Sequence, residues 1–163
     1  MTFDEFVAAR GEALLRFALM LCGDRYLAED LVQSVLAKVY VRWRRVAGMQ
    51  RPEAYVKTVL VHEHLRWWRR RSSTELPVSR QPMVDAADDG TAARASRDAA
   101  WELMRRLPKR QRAVLVLRYY EDLSDAEIAA VLGCAPSTVR SQAARALAAL
   151  RAAVPAMDRE ALP

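Results

Sequence analysis

The chain has 163 residues, 52% of them hydrophobic, which is enough apolar surface to bury cores and excludes wholesale disorder. Its net charge of +6 and sequence pI near 9.8 favour a polyanionic partner such as nucleic acid. No apolar run is long enough to span a bilayer, and the opening residues carry Asp4 and Glu5, unlike a signal peptide, so no membrane insertion and a cytoplasmic location are expected.

In chain order, Phe6, Leu14, Phe17, Ala18 and Leu21 recur at helical spacing and predict an amphipathic first helix. Gly23-Asp24 breaks it, and Leu27, Leu31, Val35, Leu36 and Val39 restart the period. A second break falls at residues 47–52, after which Tyr55, Val56, Val59, Leu60 and His62 open another helix. Within that helix His62 and His64 point about 200° apart, so both imidazoles cannot close on one metal ion from this element. Cys22 and Cys134 lie far apart, in no ligand spacing, and read as buried free thiols. With no Gly-rich phosphate loop, no nucleophile elbow and no Cys–His pair at a credible spacing, neither an enzyme nor a cofactor, metal or small-molecule substrate is expected.

Between Tyr40 and Arg71 the bases Arg42, Arg44, Arg45, Arg51, Lys57, Arg66, Arg69, Arg70 and Arg71 outnumber the acids Glu53 and Glu63. Tyr40, Trp43, Tyr55, Trp67 and Trp68 are interleaved with them. Guanidinium groups hold phosphates while flat rings stack on unpaired bases, so this cluster suits single-stranded nucleic acid. Trp43 and Tyr55 equally suit a core, and Trp67 and Trp68 cannot both face inward on one helix. A membrane surface is a poorer fit, because the basic and aromatic residues are not segregated into opposite faces.

From Ser72 to about Thr91 the periodicity stops in a stretch rich in Ser, Pro, Asp and Gly, the composition of a linker. A second periodic block runs over 92–154, followed by a short tail at 155–163. Inside this block Ser124 and Glu127 form a capping box, and Ile128, Val131 and Leu132 give the next helix an apolar face. Ala129 is small where a second helix has to come close. Gly133 supplies a permissive turn and Pro136 suits the first position of a final helix. Val139, Ala143, Leu147 and Leu150 make that helix's inner stripe, while Arg140, Ser141, Ala144 and Arg145 face outward. Helix, glycine turn and basic-faced helix form the helix-turn-helix arrangement that lays its second helix in a DNA major groove. The same arginines also suit a solvated face on an Ala-rich helix. An all-α chain of two small helical domains joined by a flexible linker is expected.

Leu27-Ala28-Glu29-Asp30-Leu31-Val32-Gln33-Ser34-Val35, Pro52-Glu53-Ala54-Tyr55, Arg66-Trp67-Trp68-Arg69-Arg70-Arg71, Leu107-Pro108 with Gln111-Arg112, and Ser137-Thr138-Val139-Arg140-Ser141 occur in this order. In that order and spacing the chain resembles the extracytoplasmic-function sigma factors of bacterial RNA polymerase, actinobacterial members in particular. The resemblance implies a region 2 domain over 1–71 and a region 4 domain over 92–154. It implies polymerase binding through Asp30 and Gln33, and minus-ten recognition and melting through the loop residues Gly48, Met49, Gln50 and Arg51 with Arg66, Trp67, Arg69 and Arg70. It implies upstream-element contacts from Ser137, Thr138, Arg140, Ser141 and Arg145, with Ala144 departing from members that carry a larger contact residue there. The partners implied are core RNA polymerase, promoter DNA in both duplex and single-stranded form, and an anti-sigma factor. Against this stand a free-standing helix-turn-helix regulator that binds duplex DNA without polymerase, and an adaptor that binds protein only.

Overall fold

A computed structural model describes residues 1–71 and 91–154, with side chains defined over 1–70 and 98–154. The predicted linker at 72–91 and tail at 155–163 lie outside the described residues, except that Thr91 is already the first residue of a helix. The described residues are helical throughout their regular structure, with no strand among them. The chain divides into two compact units, Met1–Val84 and Asp85–Pro163.

In the first unit α1 (Phe3–Cys22) opens with a capping box: Thr2 Oγ1 accepts from the Glu5 N–H, and Glu5 Oε2 accepts from the Thr2 N–H at 2.7 Å. It stops at Gly23, whose φ of 66° gives the left-handed cap, with its N–H donating to Leu19 O at 2.8 Å. Asp24 immediately caps α2 (Arg25–Val41), its Oδ1 accepting from the Leu27 N–H at 3.1 Å. A short α3 (Trp43–Val46) and the long α4 (Pro52–Arg71) follow. Helices α1, α2 and α4 pack pairwise around Phe6, Leu14, Phe17, Ala18 and Leu21, Leu31 and Val35, and Val56, Leu60 and Val61.

Three expectations shift here. The inward stripe of α2 is Ala28, Leu31, Val32, Val35 and Val39, while Leu27 and Leu36 are only half-buried. Ala28 and Val32 complete a three-and-four spacing with Leu31 and Val35, and the small Ala28 fits against a neighbouring helix. On α4, His62 faces solvent and His64 is the buried histidine, with Nδ1 3.6 Å from Cys22 Sγ. Cys22 is buried as expected, but Cys134 is half-buried; both are free thiols.

The second unit consists of α5 (Thr91–Arg106), α6 (Lys109–Leu115) running into a π-helical turn (Val116–Tyr120), α7 (Asp125–Leu132) and α8 (Pro136–Ala153). After the π turn the chain reverses through Asp122 at φ 54°, a residue type that tolerates the left-handed region. The Ser124–Glu127 capping box is formed in both directions, Gly133 takes φ 67°, and Pro136 starts α8. Leu107, Leu115 and Ala146 make one buried cluster, with Met104, Leu147 and Leu150 packed against it. Ile128, Ala129, Val139 and Ala143 are buried where α7 meets α8. The inner face of α8 is therefore Val139, Ala143 and Ala146, with Leu147 and Leu150 on its half-buried edge. On α7, Ile128 and Ala129 are buried, whereas Val131 and Leu132 are half-buried. Small residues take the centre because they let the two backbones approach most closely.

Candidate nucleic-acid interfaces

Pro136 at the first position of α8 fixes the direction in which the helix leaves the Gly133 turn. With Val139, Ala143 and Ala146 turned inward, Ser137, Arg140, Ser141, Ala144 and Arg145 are exposed, and Thr138 is half-buried. No acidic residue occurs in α8, so the charges on its outer face are all positive. Three further arginines, not expected to matter individually, hold this face in place. Arg110 Nη2 donates to Leu132 O at 3.4 Å, at the end of α7 beside the turn. Arg118 pairs with Asp125, tying the π turn to the first turn of α7, and the hydrogen bond that its Nη2 donates to Asp125 Oδ1 pushes the Arg118 guanidinium above its ordinary value. Arg112, only 2% exposed, sends Nη2 to Arg105 O at 2.8 Å and Leu107 O at 3.3 Å. It thereby satisfies carbonyls where α5 ends. In sequence Arg110 and Arg118 look like any other surface arginine, and Arg112, although part of the Leu107-Pro108, Gln111-Arg112 motif, carries no local sign that it is buried.

In the first unit the loop between α3 and α4 exposes Gly48, Gln50 and Arg51, with Met49 half-buried and its N–H donating to Val46 O. Arg42, Arg44 and Arg45 are exposed just before it and extend the basic surface. Farther along α4, Arg66, Arg69 and Arg70 are exposed and Trp67 is half-buried. Arg66 lies fifteen positions beyond Arg51, with α4 starting at Pro52, which is roughly 22 Å at 1.5 Å per residue. The residues expected to act on the minus-ten element thus fall into two groups, one at each end of α4.

The aromatic ambiguity resolves by contact. Trp43 belongs to the packing: its ring lies 4.9 Å from Phe6 and 5.5 Å from Phe3, and Nε1 donates to Met1 O at 3.2 Å. Trp68 sets its ring edge-on to buried His64 at 6.4 Å. Tyr55 is half-buried and Tyr40 is 63% exposed. Asp30 and Gln33 are both exposed, three residues apart on the side of α2 away from its buried stripe.

Comparison with known proteins accounts for both units. Residues 6–74 match the model of Sigma-70 region 2, and residues 97–150 match Sigma-70, region 4. The RNA polymerase sigma-E factor of Streptomyces coelicolor is 38% identical over 161 residues, which is 99% of this chain and 90% of that protein. The ECF RNA polymerase sigma factor ShbA of Streptomyces griseus is 38% identical over 140 residues, covering 80% of this chain and 73% of the relative.

The chain belongs to the extracytoplasmic-function sigma factors.

It is therefore a transcription initiation factor. The sigma factor SigL of Mycobacterium tuberculosis is also similar, at 33% identity over 156 residues, 91% of this chain and 84% of SigL. In fold, the sigma factor resembles the sigma factor RpoE of Bartonella quintana, solved in complex with the anti-sigma factor NepR. The TM-score is 0.72 over 91% of this chain and 94% of that one, at 24% identity. Among the described residues no helix is long and apolar enough to cross a membrane, and no group of three or more His, Cys, Asp or Glu side chains could hold a metal ion.

Proposed function

We propose that this sigma factor acts in the cytoplasm by docking α2 on core RNA polymerase through Asp30 and Gln33. The domain over 1–71 then captures and melts the minus-ten element, and the domain over 92–154 reads the upstream element through α8. The observation that carries the reading is the exposed Arg140, Ser141 and Arg145 face of α8, set over a Val139, Ala143, Ala146 packing stripe directly after the Gly133 turn. Groove contacts concentrate in the N-terminal half of a recognition helix, where Arg140 and Ser141 lie, with Ser137 and Thr138 ahead of them. Arg140 takes a base edge and Arg145 a phosphate. On the melting side, Gly48, Met49, Gln50 and Arg51 meet the flipped-out strand at one end of α4, and Arg66, Trp67, Arg69 and Arg70 track its backbone at the other.

Melting costs on the order of 1.4 kcal/mol per base-pair step, and stacking of a captured base returns about 1–3 kcal/mol. Two weak contacts joined in one chain gain by avidity once polymerase fixes their separation. An anti-sigma factor that covered these surfaces would block both at once; the Bartonella quintana sigma factor of similar fold was solved with such a partner, NepR.

The test is run-off transcription by core polymerase reconstituted with native protein, with Arg140→Ala, or with Asp30→Arg plus Gln33→Ala, on templates randomised at the upstream element. Arg140→Ala is expected to relax preference at one base pair, and the double variant to abolish pull-down of core polymerase while still folding. Tight binding of duplex DNA by the native chain without polymerase, at an inverted repeat, would instead favour a free-standing regulator.

A further inference from the structure

Glu63 is an acid buried inside the basic stretch of the first unit, only 6% exposed. Each carboxylate oxygen faces a cation from a different helix: Oε2 lies 2.7 Å from Lys38 Nζ of α2, and Oε1 lies 3.3 Å from Arg66 Nη1 of α4. The two cations are themselves well exposed, at 52% and 54% of their side chains. The contrast is Glu53 at the other end of α4, which pairs with Arg10 and Lys57 but keeps 28% of its side chain in solvent. Glu63 lies too deep to meet a phosphate, yet its charge cancels one of the two positive charges that DNA would meet above it. Burying this carboxylate costs desolvation that two half-exposed cations only partly offset, so stability gives a weak account of this arrangement.

We propose that Glu63 is a specificity-determining residue that keeps Lys38 off the DNA backbone and weakens the grip of Arg66 on it. Phosphate contacts supply affinity without regard to sequence, and base contacts supply discrimination. Holding two cations on one buried carboxylate lowers the first and leaves the second intact. A strand bound at Arg69, Arg70 and Trp67 is then retained according to its bases rather than its charge. This inference rests on the reading of the C-terminal half of α4 as a single-strand surface.

The experiment titrates the full chain with a single-stranded oligothymidine and follows log K against log salt concentration. Glu63→Gln removes the charge while keeping the shape, and Glu63→Met serves if the first variant does not fold. Each released cation steepens the slope by about 0.7, so a total change between about 0.7 and 1.4 is expected. At 50 mM salt this corresponds to tighter binding on the order of eightfold per cation. Adding Arg66→Ala to Glu63→Gln should remove about half of the change. An unchanged slope in a folded Glu63 variant overturns the inference, since a purely structural role would alter the melting temperature and not the slope. Arg69→Ala with Arg70→Ala, in the native background, tests the surface itself. If that variant binds as the native chain does, or if no form of the chain binds the oligothymidine, the surface reading falls and Glu63 with it. If it weakens binding while Glu63→Gln leaves the slope alone, only the role of Glu63 falls.

Discussion

Around α1, α2 and α4 the first unit buries large side chains, Phe6, Phe17, Leu14, Leu21, Leu31 and Leu60, and closes its surface with ion pairs such as Lys38–Glu63. Where the helix-turn-helix packs, the second unit buries Ala129 and Ala143 with Val139 and Ile128, and it buries an arginine to satisfy the end of α5. Interaxial distance follows the size of the side chains at the contact. Bulky residues give the first unit a core whose helices serve as a platform for separate surfaces: Asp30 and Gln33 on α2, the 48–51 loop, and the far end of α4. Alanines draw α7 and α8 close, so that the orientation of Arg140 is fixed almost directly by the backbone of the turn before it.

That contrast can be broken from either side. The largest effect is expected from Phe17→Ala, which removes a fully buried ring from the first core and should cost about 3–5 kcal/mol. Amide hydrogen exchange should show the loss over α1, α2 and α4, with α7 and α8 keeping their protection; equal loss in both units would contradict separate cores. Overpacking is the corresponding insult to the second unit. Ala143→Leu, at a site 1% exposed, should cost about 1–3 kcal/mol by denaturant unfolding and weaken promoter selectivity through the upstream element, whereas a Leu at solvent-facing Ala144 should leave stability unchanged.

A smaller effect isolates the turn. At Gly133 a Cβ would meet nothing within 4 Å, so Gly133→Ala is charged only with the left-handed backbone at φ 67°, about 1–2 kcal/mol. Asn at the same site should recover part of that loss, and an Ala variant as stable as the native chain would show that the turn relaxes. The smallest effects compare the two capping boxes. Ser124→Ala should cost about 1 kcal/mol and fray the first turn of α7. In α1 the hydrogen bond from the Thr2 N–H holds the Glu5 carboxyl below its ordinary 4.5. A depressed folded value means that this contribution is complete above the unfolded value and is lost as pH falls through the folded one. Amide shifts of Thr2 and Glu5 across an acid titration read the transition, and Thr2→Ala, which removes the Oγ1 contact but keeps the backbone N–H, should return the Glu5 midpoint only part of the way toward its ordinary value.

Much of the site is local and therefore visible in the residues themselves. The capping box at Ser124 and the glycine stops at Gly23 and Gly133 obey rules that reach no farther than four residues. The exposed side of α8 follows from its period alone, because any helix that buries Val139 and Ala143 must present Arg140 and Ser141 to solvent. Periodicity was less reliable at the margins of each stripe. Leu27, Leu36, Leu147 and Leu150 are large and apolar but stand at helix edges, while Ala28 and Ala146, which contribute little to a hydrophobic pattern, occupy the centres. Pattern weighs hydrophobicity, whereas close helix contacts reward small volume.

By itself, then, the order of residues determined the all-helical class, the helix ends, the outward residues of α8 and, through motif order, the family. Tertiary structure alone decided which of two histidines is buried, that Trp43 packs on Phe3 and Phe6, and that Arg112 and Glu63 lie inside with partners from distant or differently directed segments. The reason is the range of the forces involved. Caps and turns are satisfied within one turn of chain, but the burial of a charge or an aromatic ring depends on which neighbours arrive from other helices, and nothing in the adjacent sequence specifies those.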